Sequence, residues 1–440
     1  MTTRRDFIKA GGAAMAIGAL GFTARSYGRI LGANDRINVG VMGANNRGKG
    51  LTLDFANAGN TAITHVCDVD SRVLAMIGNE LNRLKQPKAK MGDDIRRQLE
   101  DKDMDVLVIA TPDHWHAAAS IMALQAGKHV YVEKPCSHNP GEGELLVAAQ
   151  KKYNHVVQMG NQQRSSLETI ELMKAINDGE LGDIYHVYTW YANNRPSIGK
   201  GSRVPVPEWL NWDLWQGPAP RADYSDIYVH YNWHWFWDWG TGESCNNGAH
   251  ELDIGRWAVG GEFPERVDVD ASRQFYRDDD WQMYDTMEAE FTFAGDKTVV
   301  WEGHSCNNVK KFGRGRGSLI YGTEGHAIVD REGYEIYGLD GNLLRENKTL
   351  QSNDTADLMG SGPLTVLHVE NFLSVVRGDS VVQSSPIDEG HKSTLMCHLA
   401  NIASRTGETL HCDSSNGKPQ SKAAQALWNR EYEQGWEIKV

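Results

Sequence analysis

Residues 36–48 read Arg-Ile-Asn-Val-Gly-Val-Met-Gly-Ala-Asn-Asn-Arg-Gly. Arg36 to Met42 is largely apolar and β-branched, the pattern of a strand buried on both faces of a parallel sheet. Gly43-Ala-Asn45-Asn-Arg47-Gly48 breaks the strand, and a helical stretch from about Lys49 to Ala58 follows. A second strand, Ala62 to Cys67, ends at Asp68, 25 positions after Gly43. In this order of strand, glycine turn, helix, strand and acid, a helix N-terminus receives a pyrophosphate and the acid takes the adenine ribose hydroxyls. The middle glycine of the G-x-G-x-x-G pattern is replaced by Asn45. Asparagine tolerates a left-handed backbone, so the turn is expected to survive with a less open approach to phosphate. Asp68 would repel a 2′-phosphate, which favours NAD over NADP. Arg72 is the nearby cation that could soften that preference.

The wound pattern continues along the chain. Asp105 to Ala110 reads as a third buried strand ending at Thr111-Pro112-Asp113-His114-Trp115-His116, with a helix from Ala117 to Ala126. Lys128 to Val132 is a fourth strand, followed by Glu133-Lys134-Pro135. A helix (Gly141 to Tyr153) and a strand (His155 to Met159) lead to Gly160-Asn161-Gln162-Gln163-Arg164. Each motif falls at the carboxyl end of a parallel strand, where open α/β sheets bind ligands. Residues 36–160 are therefore expected to form the dinucleotide domain, which leaves 161–440 for a second domain.

At 440 residues, with 40% hydrophobic and 23% charged side chains, the chain reads as a multi-domain globular protein. Its formal charge of −13 makes nucleic acid an unexpected partner. The six cysteines show no C-x-x-C spacing, so neither a zinc site nor a disulfide framework is predicted. Residues 1–35 read as an address: Thr3-Arg4-Arg5-Asp6-Phe7-Ile8-Lys9 precedes an apolar run from Ala10 to Phe22, a twin-arginine export pattern. Such export moves folded proteins, so the export machinery is an expected partner, the periplasm or cell envelope the expected destination, and a tightly held cofactor a corollary.

Residues 183–195 alternate as a strand ending in Asn193, Asn194 and Arg195. Nine of the 14 tryptophans lie between Trp190 and Trp257. Most are expected to be core. Aromatic faces beside polar groups also suit a carbohydrate, which implicates some of Trp233, His234, Trp235 and Trp237 in a sugar-like pocket. Strands are expected at 285–293, 298–304 and 317–321, helices at 368–377 and 391–405 closing the second domain, and Arg314-Gly-Arg316 on a loop.

The export pattern, the glycine turn, Thr-Pro-x-x-x-His, Glu-Lys-Pro and the run Gly248-Ala-His250-Glu-Leu-Asp253 together resemble the glucose-fructose oxidoreductase / inositol dehydrogenase / MocA family, over nearly the whole chain from Arg36. Trp237-Asp-Trp-Gly-Thr-Gly-Glu243 is similar to an exported branch of that family. The resemblance implies an α/β fold: a Rossmann domain, then an α/β domain on a large, mostly antiparallel sheet whose open face commonly makes a homo-oligomer. It implies cofactor contacts at Gly43, Asn45, Arg47, Gly48, Asp68, Thr111, Pro112, His114, His116, Glu133, Lys134 and Gln162. Lys134 would lie beside the nicotinamide and orient the reacting alcohol. His250 would accept the hydroxyl proton. Were 246–257 helical, Asn246, His250 and Asp253 would share one face. Asn246 stands where the family usually carries an aspartate, and an amide positions a hydroxyl without tuning a base. Substrate contacts are expected from Arg164, Tyr191, Asn193, Arg195, Trp233, His234, Trp235 and Asp253.

The expected activity is NAD-dependent oxidation or reduction of a secondary hydroxyl on a sugar, cyclitol or glycoside. One alternative is glycoside cleavage by transient oxidation and elimination with recycled NAD. Another is a non-catalytic NAD-dependent binding protein, against which Lys134 and His250 both argue.

Overall fold

The computed structural model describes residues 36–348 and 362–440; the twin-arginine segment lies outside the described residues. Six parallel strands form the first sheet: β1 Ile37–Met42, β2 Thr61–Cys67, β3 Lys90–Gly92, β4 Val106–Ile109, β5 His129–Val132 and β6 Val157–Met159. Their spatial order is β3-β2-β1-β4-β5-β6. The chain turns back on itself between β1 and β4, so the carboxyl ends of those strands open a crevice. Helices α1 Arg47–Asn57, α2 Ser71–Arg83, α3 Asp113–Gln125 and α4 Pro140–Tyr153 cover the faces. The strand expected third is the fourth, because the short edge strand β3 carries two exposed residues and no apolar run.

After α5 (Leu167–Asn177), the second sheet takes β7 Ile184–Ala192, β8 Arg266–Ser272, β9 Thr286–Phe293, β10 Lys297–His304, β11 Arg316–Gly322, β12 Gly325–Val329, β13 Tyr334–Gly338, β14 Leu343–Asn347 and β15 Leu410–His411. Its order is β14-β13-β12-β11-β7-β10-β9-β8-β15, antiparallel throughout except for β7 beside β10. Arg316 opens β11 rather than sitting on a loop; its guanidinium is buried and donates to Glu251 at 2.7 Å. Helix α6, Ala249–Val259, packs against β7, β10 and β11, burying Leu252 and Ile254 in the core of this domain.

Two later helices return to the first domain. Helix α7, Pro363–Arg377, sends Val369, Phe372 and Leu373 into the core beneath β1 and α1, with Phe372 edge-on to Phe55. Helix α8, Ile387–Thr406, lies between the domains and packs on α4 and α6. The first sheet ends at Met159 and the second begins at Ile184, while α7 packs with the Rossmann half. An amphipathic helix carries no mark of which core it enters. Trp212, Trp215, Trp233, Trp235, Trp239 and Trp281 form a separate aromatic core in the loops between β7 and α6 and before β9. Among the described residues no helix is long and apolar enough to cross a membrane.

Candidate active site

The crevice widens into a cavity of about 350 Å³ between the carboxyl ends of the first sheet and the second domain, within the range of small-molecule sites (about 300–1,000 Å³). One end is built by the glycine turn. Gly43 has φ +76°, and a Cβ there would come 2.8 Å from the carbonyl oxygen of Ala110. At Gly48 a Cβ would strike the Gly43 carbonyl at 1.8 Å, so this glycine lets α1 close on β1 and does not itself line the cavity. The left-handed residue is Asn46 (φ 43°) rather than Asn45, and Asn46 makes no side-chain cap on α1. Asn45, Asn46 and Arg47 border the cavity, where the positive end of α1 favours a phosphate. Asp68 accepts from the backbone N–H of Ala44 at 2.7 Å and of Asp70 at 2.9 Å, which ties the turn to the end of β2. Each oxygen keeps capacity for a hydroxyl. Burial raises the Asp68 pKa against those two hydrogen bonds. Arg72 forks onto Asp70, with Nε 3.0 Å and Nη2 2.7 Å from its oxygens, and lies 3.4 Å above the Trp209 ring. That cation is engaged away from a 2′-phosphate. These residues fit NAD.

The other end gathers the two strand-end motifs. His116 bridges the carbonyl oxygens of Thr111 (2.8 Å) and Pro135 (2.5 Å), bracing Thr-Pro-x-x-x-His against Glu-Lys-Pro. Glu133 accepts from Arg47 Nε at 2.8 Å, and Gln162 lines the wall beside them. Lys134 Nζ donates to the Asn246 backbone oxygen at 2.7 Å and to its Oδ1 at 3.0 Å. Burial lowers the Lys134 pKa, while the carboxylates of Glu133, Asp113 and Glu243 act to raise it.

Asn246 lies in a wide π-type turn, Ser244–Gly248, that precedes α6. The expected single face of Asn246, His250 and Asp253 is therefore broken. Asn246 and His250 line the cavity, whereas Asp253 points away. His250 is 3% exposed, and no described residue hydrogen-bonds its ring. Burial, then the charges of Arg331, Lys134 and Arg316, hold its pKa well below the ordinary imidazole value. The ring is thereby favoured in its neutral form.

On the second-domain side Tyr191, Asn193, Arg195, Trp233 and His234 line the cavity. Trp233 and His234 stack at 3.6 Å, and Asn193 Nδ2 donates to the Tyr191 hydroxyl at 2.7 Å. Four sequence expectations are corrected. Trp235 is sealed in the aromatic core, stacked 4.1 Å from Trp281. Arg164 and Asp253 spend their charges on each other, with Arg164 Nε 2.8 and 3.0 Å from the two Asp253 oxygens. Asp253 also accepts from Asn161 and Ser393, so the pair is a buried knot between the domains, not a substrate contact. His114 lies behind the wall, its Nε2 2.9 Å from the Trp215 carbonyl oxygen, and is not a cofactor contact.

Asp113 and Glu243, at and behind the cavity wall, are among the residues that the sequence reading did not assign to the site. Asp113 lines the cavity, takes a 2.5 Å hydrogen bond from Thr241 Oγ1, and is pushed up to about 7 by burial. Glu243 is 2% exposed and sits behind the cavity wall, paired with Arg195. Their signals were present: an acid directly after Pro112, and one three residues before Asn246 within an aromatic run.

Comparison with known proteins identifies the family of both domains. A family model described as an oxidoreductase family with an NAD-binding Rossmann fold matches residues 37–161, and its C-terminal alpha/beta domain matches 187–438. Over 209 residues the chain is 29% identical to a glycosyl hydrolase family 109 protein of Saccharopolyspora erythraea, covering 44% of this chain and 45% of that protein. The chain thus spans less than half the length of this curated relative. An aldose-aldose oxidoreductase of Caulobacter crescentus, solved with glycerol, superposes with TM-score 0.65 at 17% identity over 86% of this chain and 99% of that one. A levoglucosan dehydrogenase complexed with NADH and levoglucosan gives 0.63 at 20% identity over 85% and 99%. At such identities the likeness shows the fold. The chain belongs to the glucose-fructose oxidoreductase / inositol dehydrogenase / MocA family of NAD-binding oxidoreductases.

Proposed function

We propose that this family member oxidises a secondary hydroxyl of a sugar, cyclitol or glycoside. Bound NAD would supply the two-electron acceptor. The observation that carries the reading is the meeting of Lys134, Asn246 and His250 at the end of the cavity away from the glycine turn. Lys134, held by Asn246, directs an N–H at the alcohol oxygen and stabilises its developing negative charge. His250, kept neutral by burial, accepts the hydroxyl proton. Tyr191, Tyr231, Trp233 and His234 offer ring faces to the C–H side of a sugar, and Asn193 and Arg195 offer donors to its hydroxyls.

A second reading is favoured by two specific observations. A glycosyl hydrolase family 109 protein is among the relatives, and Asn246 replaces the family's usual acid. In that reading the oxidised ring eliminates its aglycone and is reduced again. One cuvette with an aryl glycoside separates the two. Under net oxidation the near-ultraviolet band of reduced nicotinamide rises and persists until an acceptor is added. Under cycling, aglycone accumulates over many turnovers while reduced cofactor stays at or below one per site. We expect persistent reduction. Release of aglycone in large excess over reduced cofactor would replace that reading by the second.

The reading extends to the protein's setting. The Thr3–Lys9 pattern supports export to the periplasm or cell envelope with NAD already bound. The half-buried rings of Tyr188, Tyr321 and Tyr337 on the second sheet support a homo-oligomer through that face.

A further inference from the structure

We propose that Glu243 fixes the charge preference of the substrate pocket: by neutralising Arg195 it makes the site select an uncharged polyhydroxyl ring and reject a ring bearing a carboxylate. The inference rests on the sugar-oxidation reading and narrows its substrate class.

Arg195 follows β7 and enters the cavity wall with its guanidinium already committed. Its Nε is 2.7 Å from Glu243 Oε2 and its Nη2 3.1 Å from Oε1, a two-point fork. Nη1 donates to the Tyr231 hydroxyl at 2.8 Å, and the plane lies 5.0 Å from the Trp235 ring centre. Glu243 in turn accepts from Ser305 Oγ at 3.1 Å, Asn247 Nδ2 at 2.5 Å and Asn246 Nδ2 at 3.3 Å. The carboxylate is thus fixed by four residues from three parts of the chain, and their donors hold its pKa below the ordinary glutamate value despite burial. It cannot swing aside to free the arginine without stranding several buried donors.

The cation that remains at this end, Lys134, is directed at the reacting hydroxyl rather than at the ring substituents beside Arg195. Burial leaves His234 and His250 neutral, with His234 lowered to about 3. Lys134 spends two donors on Asn246 and has Glu133, Asp113 and Glu243 as its acidic neighbours. A carboxylate placed beside Arg195 would leave water for a guanidinium whose charge is already matched, or would have to break the Arg195–Glu243 pair. A neutral ring meets neither obstacle. Its hydroxyls can use the guanidinium N–H groups left over from the fork, Asn193 and the Tyr231 oxygen.

The test compares matched probes on the NAD-loaded full-length protein: methyl glucuronosides and galacturonosides, the same compounds as carboxamides, and the parent methyl glucosides and galactosides. The carboxamide has the size of the carboxylate without its charge. We expect kcat/KM for the carboxamides and parent glycosides to exceed that for the carboxylates by at least tenfold. In Glu243→Gln, which leaves Arg195 charged and unpaired, that ratio should collapse or invert, chiefly through KM for the carboxylate. Wild-type protein that uses carboxylate and carboxamide equally overturns the proposal. So does a folded, NAD-retaining Glu243→Gln variant with an unchanged ratio. Should Glu243→Gln fail to fold, the wild-type ratio decides alone. The same ratio is read from binding, by the change in bound-NADH fluorescence. Binding without turnover therefore overturns the redox reading while the binding ratio still decides the charge preference, and failure of every probe to bind overturns both.

Discussion

Lys134 donates to both oxygens of Asn246, backbone and side chain, at 2.7 and 3.0 Å. The contact joins the end of the Rossmann sheet to the turn before α6, and with it the two domains at the reacting centre. Because the partner is an amide, Lys134 is oriented but not neutralised by it. Asn246→Asp would set a carboxylate about 3 Å from the ammonium and raise the Lys134 pKa. The high-pH limb of kcat/KM should move to higher pH. Lys134→Ala, which removes the donor, should lower kcat by about 10²–10³-fold. An Asn246→Asp profile that overlays the wild type would show that the amide does not set the lysine's state.

His250 is assigned the proton. His250→Ala should reduce turnover by about 10²–10⁴-fold with NAD still bound after gel filtration. Because its pKa lies well below the usual 6.5, the imidazole is an acceptor throughout the neutral range. Activity should therefore show no low-pH limb near the ordinary histidine value. Near-normal turnover in His250→Ala would remove this residue from the reaction.

The Rossmann half was largely legible because each of its signals is local. A buried strand, a glycine that must adopt positive φ and an acid at the next strand's end lie within 32 residues, Ile37 to Asp68. What was not legible depends on partners distant in sequence. Arg164 and Asp253 each read as a group facing substrate. Only the fold shows that they spend their charges on each other across 89 positions. Trp235 belongs to the same aromatic run as the cavity-lining Trp233, and stacking on Trp281 is what turns it inward. The helical periodicity of 246–257 gave no warning of the wide turn at Ser244–Gly248, which separates Asn246 from a regular helix face. Helix α7 was visible as a helix, but its choice of the first core over the second was not.

Asp68 sits where the ribose hydroxyls would be held, with two backbone donors already fixing its oxygens. Asp68→Ala should weaken NAD binding by about 1–3 kcal/mol, the scale of a hydrogen bond to a charged group. Denatured wild-type protein should release NAD, with little of the 2′-phosphorylated form. Arg72→Ala should leave the NAD-to-NADP preference nearly unchanged, because Asp70 and Trp209 already occupy that guanidinium. A large shift toward either cofactor in Arg72→Ala, measured by titrating protein fluorescence, would show that the arginine reaches the ribose.

Acid should unfold this protein through its buried histidines. His114 and His391 are lowered to about 3 and His368 to about 4, in each case chiefly by burial. Their rings are at most 7% exposed. Each folded pKa lies below the unfolded value of about 6.5, so the unfolded chain binds more protons between those limits. The stability associated with keeping these rings neutral is fully present above pH 6.5 and is lost as pH falls toward the folded values. At pH 4.5 each histidine should account for roughly 2–3 kcal/mol of that loss, and three together rival the roughly 5–15 kcal/mol net stability of an ordinary domain. Asp113 acts in the opposite sense. Its folded pKa of about 7 lies above the ordinary carboxyl value, so the folded state holds an extra proton between about pH 4 and 7. One carboxyl cannot offset three imidazoles. The thermal midpoint of the NAD-loaded protein should therefore fall steeply from pH 6.5 to 4.5. His391→Gln, which removes one titrating ring from α8, should flatten that slope, whatever it does to the midpoint at pH 7.5. A slope that Gln at this position leaves unchanged would mean that acid acts elsewhere in the fold.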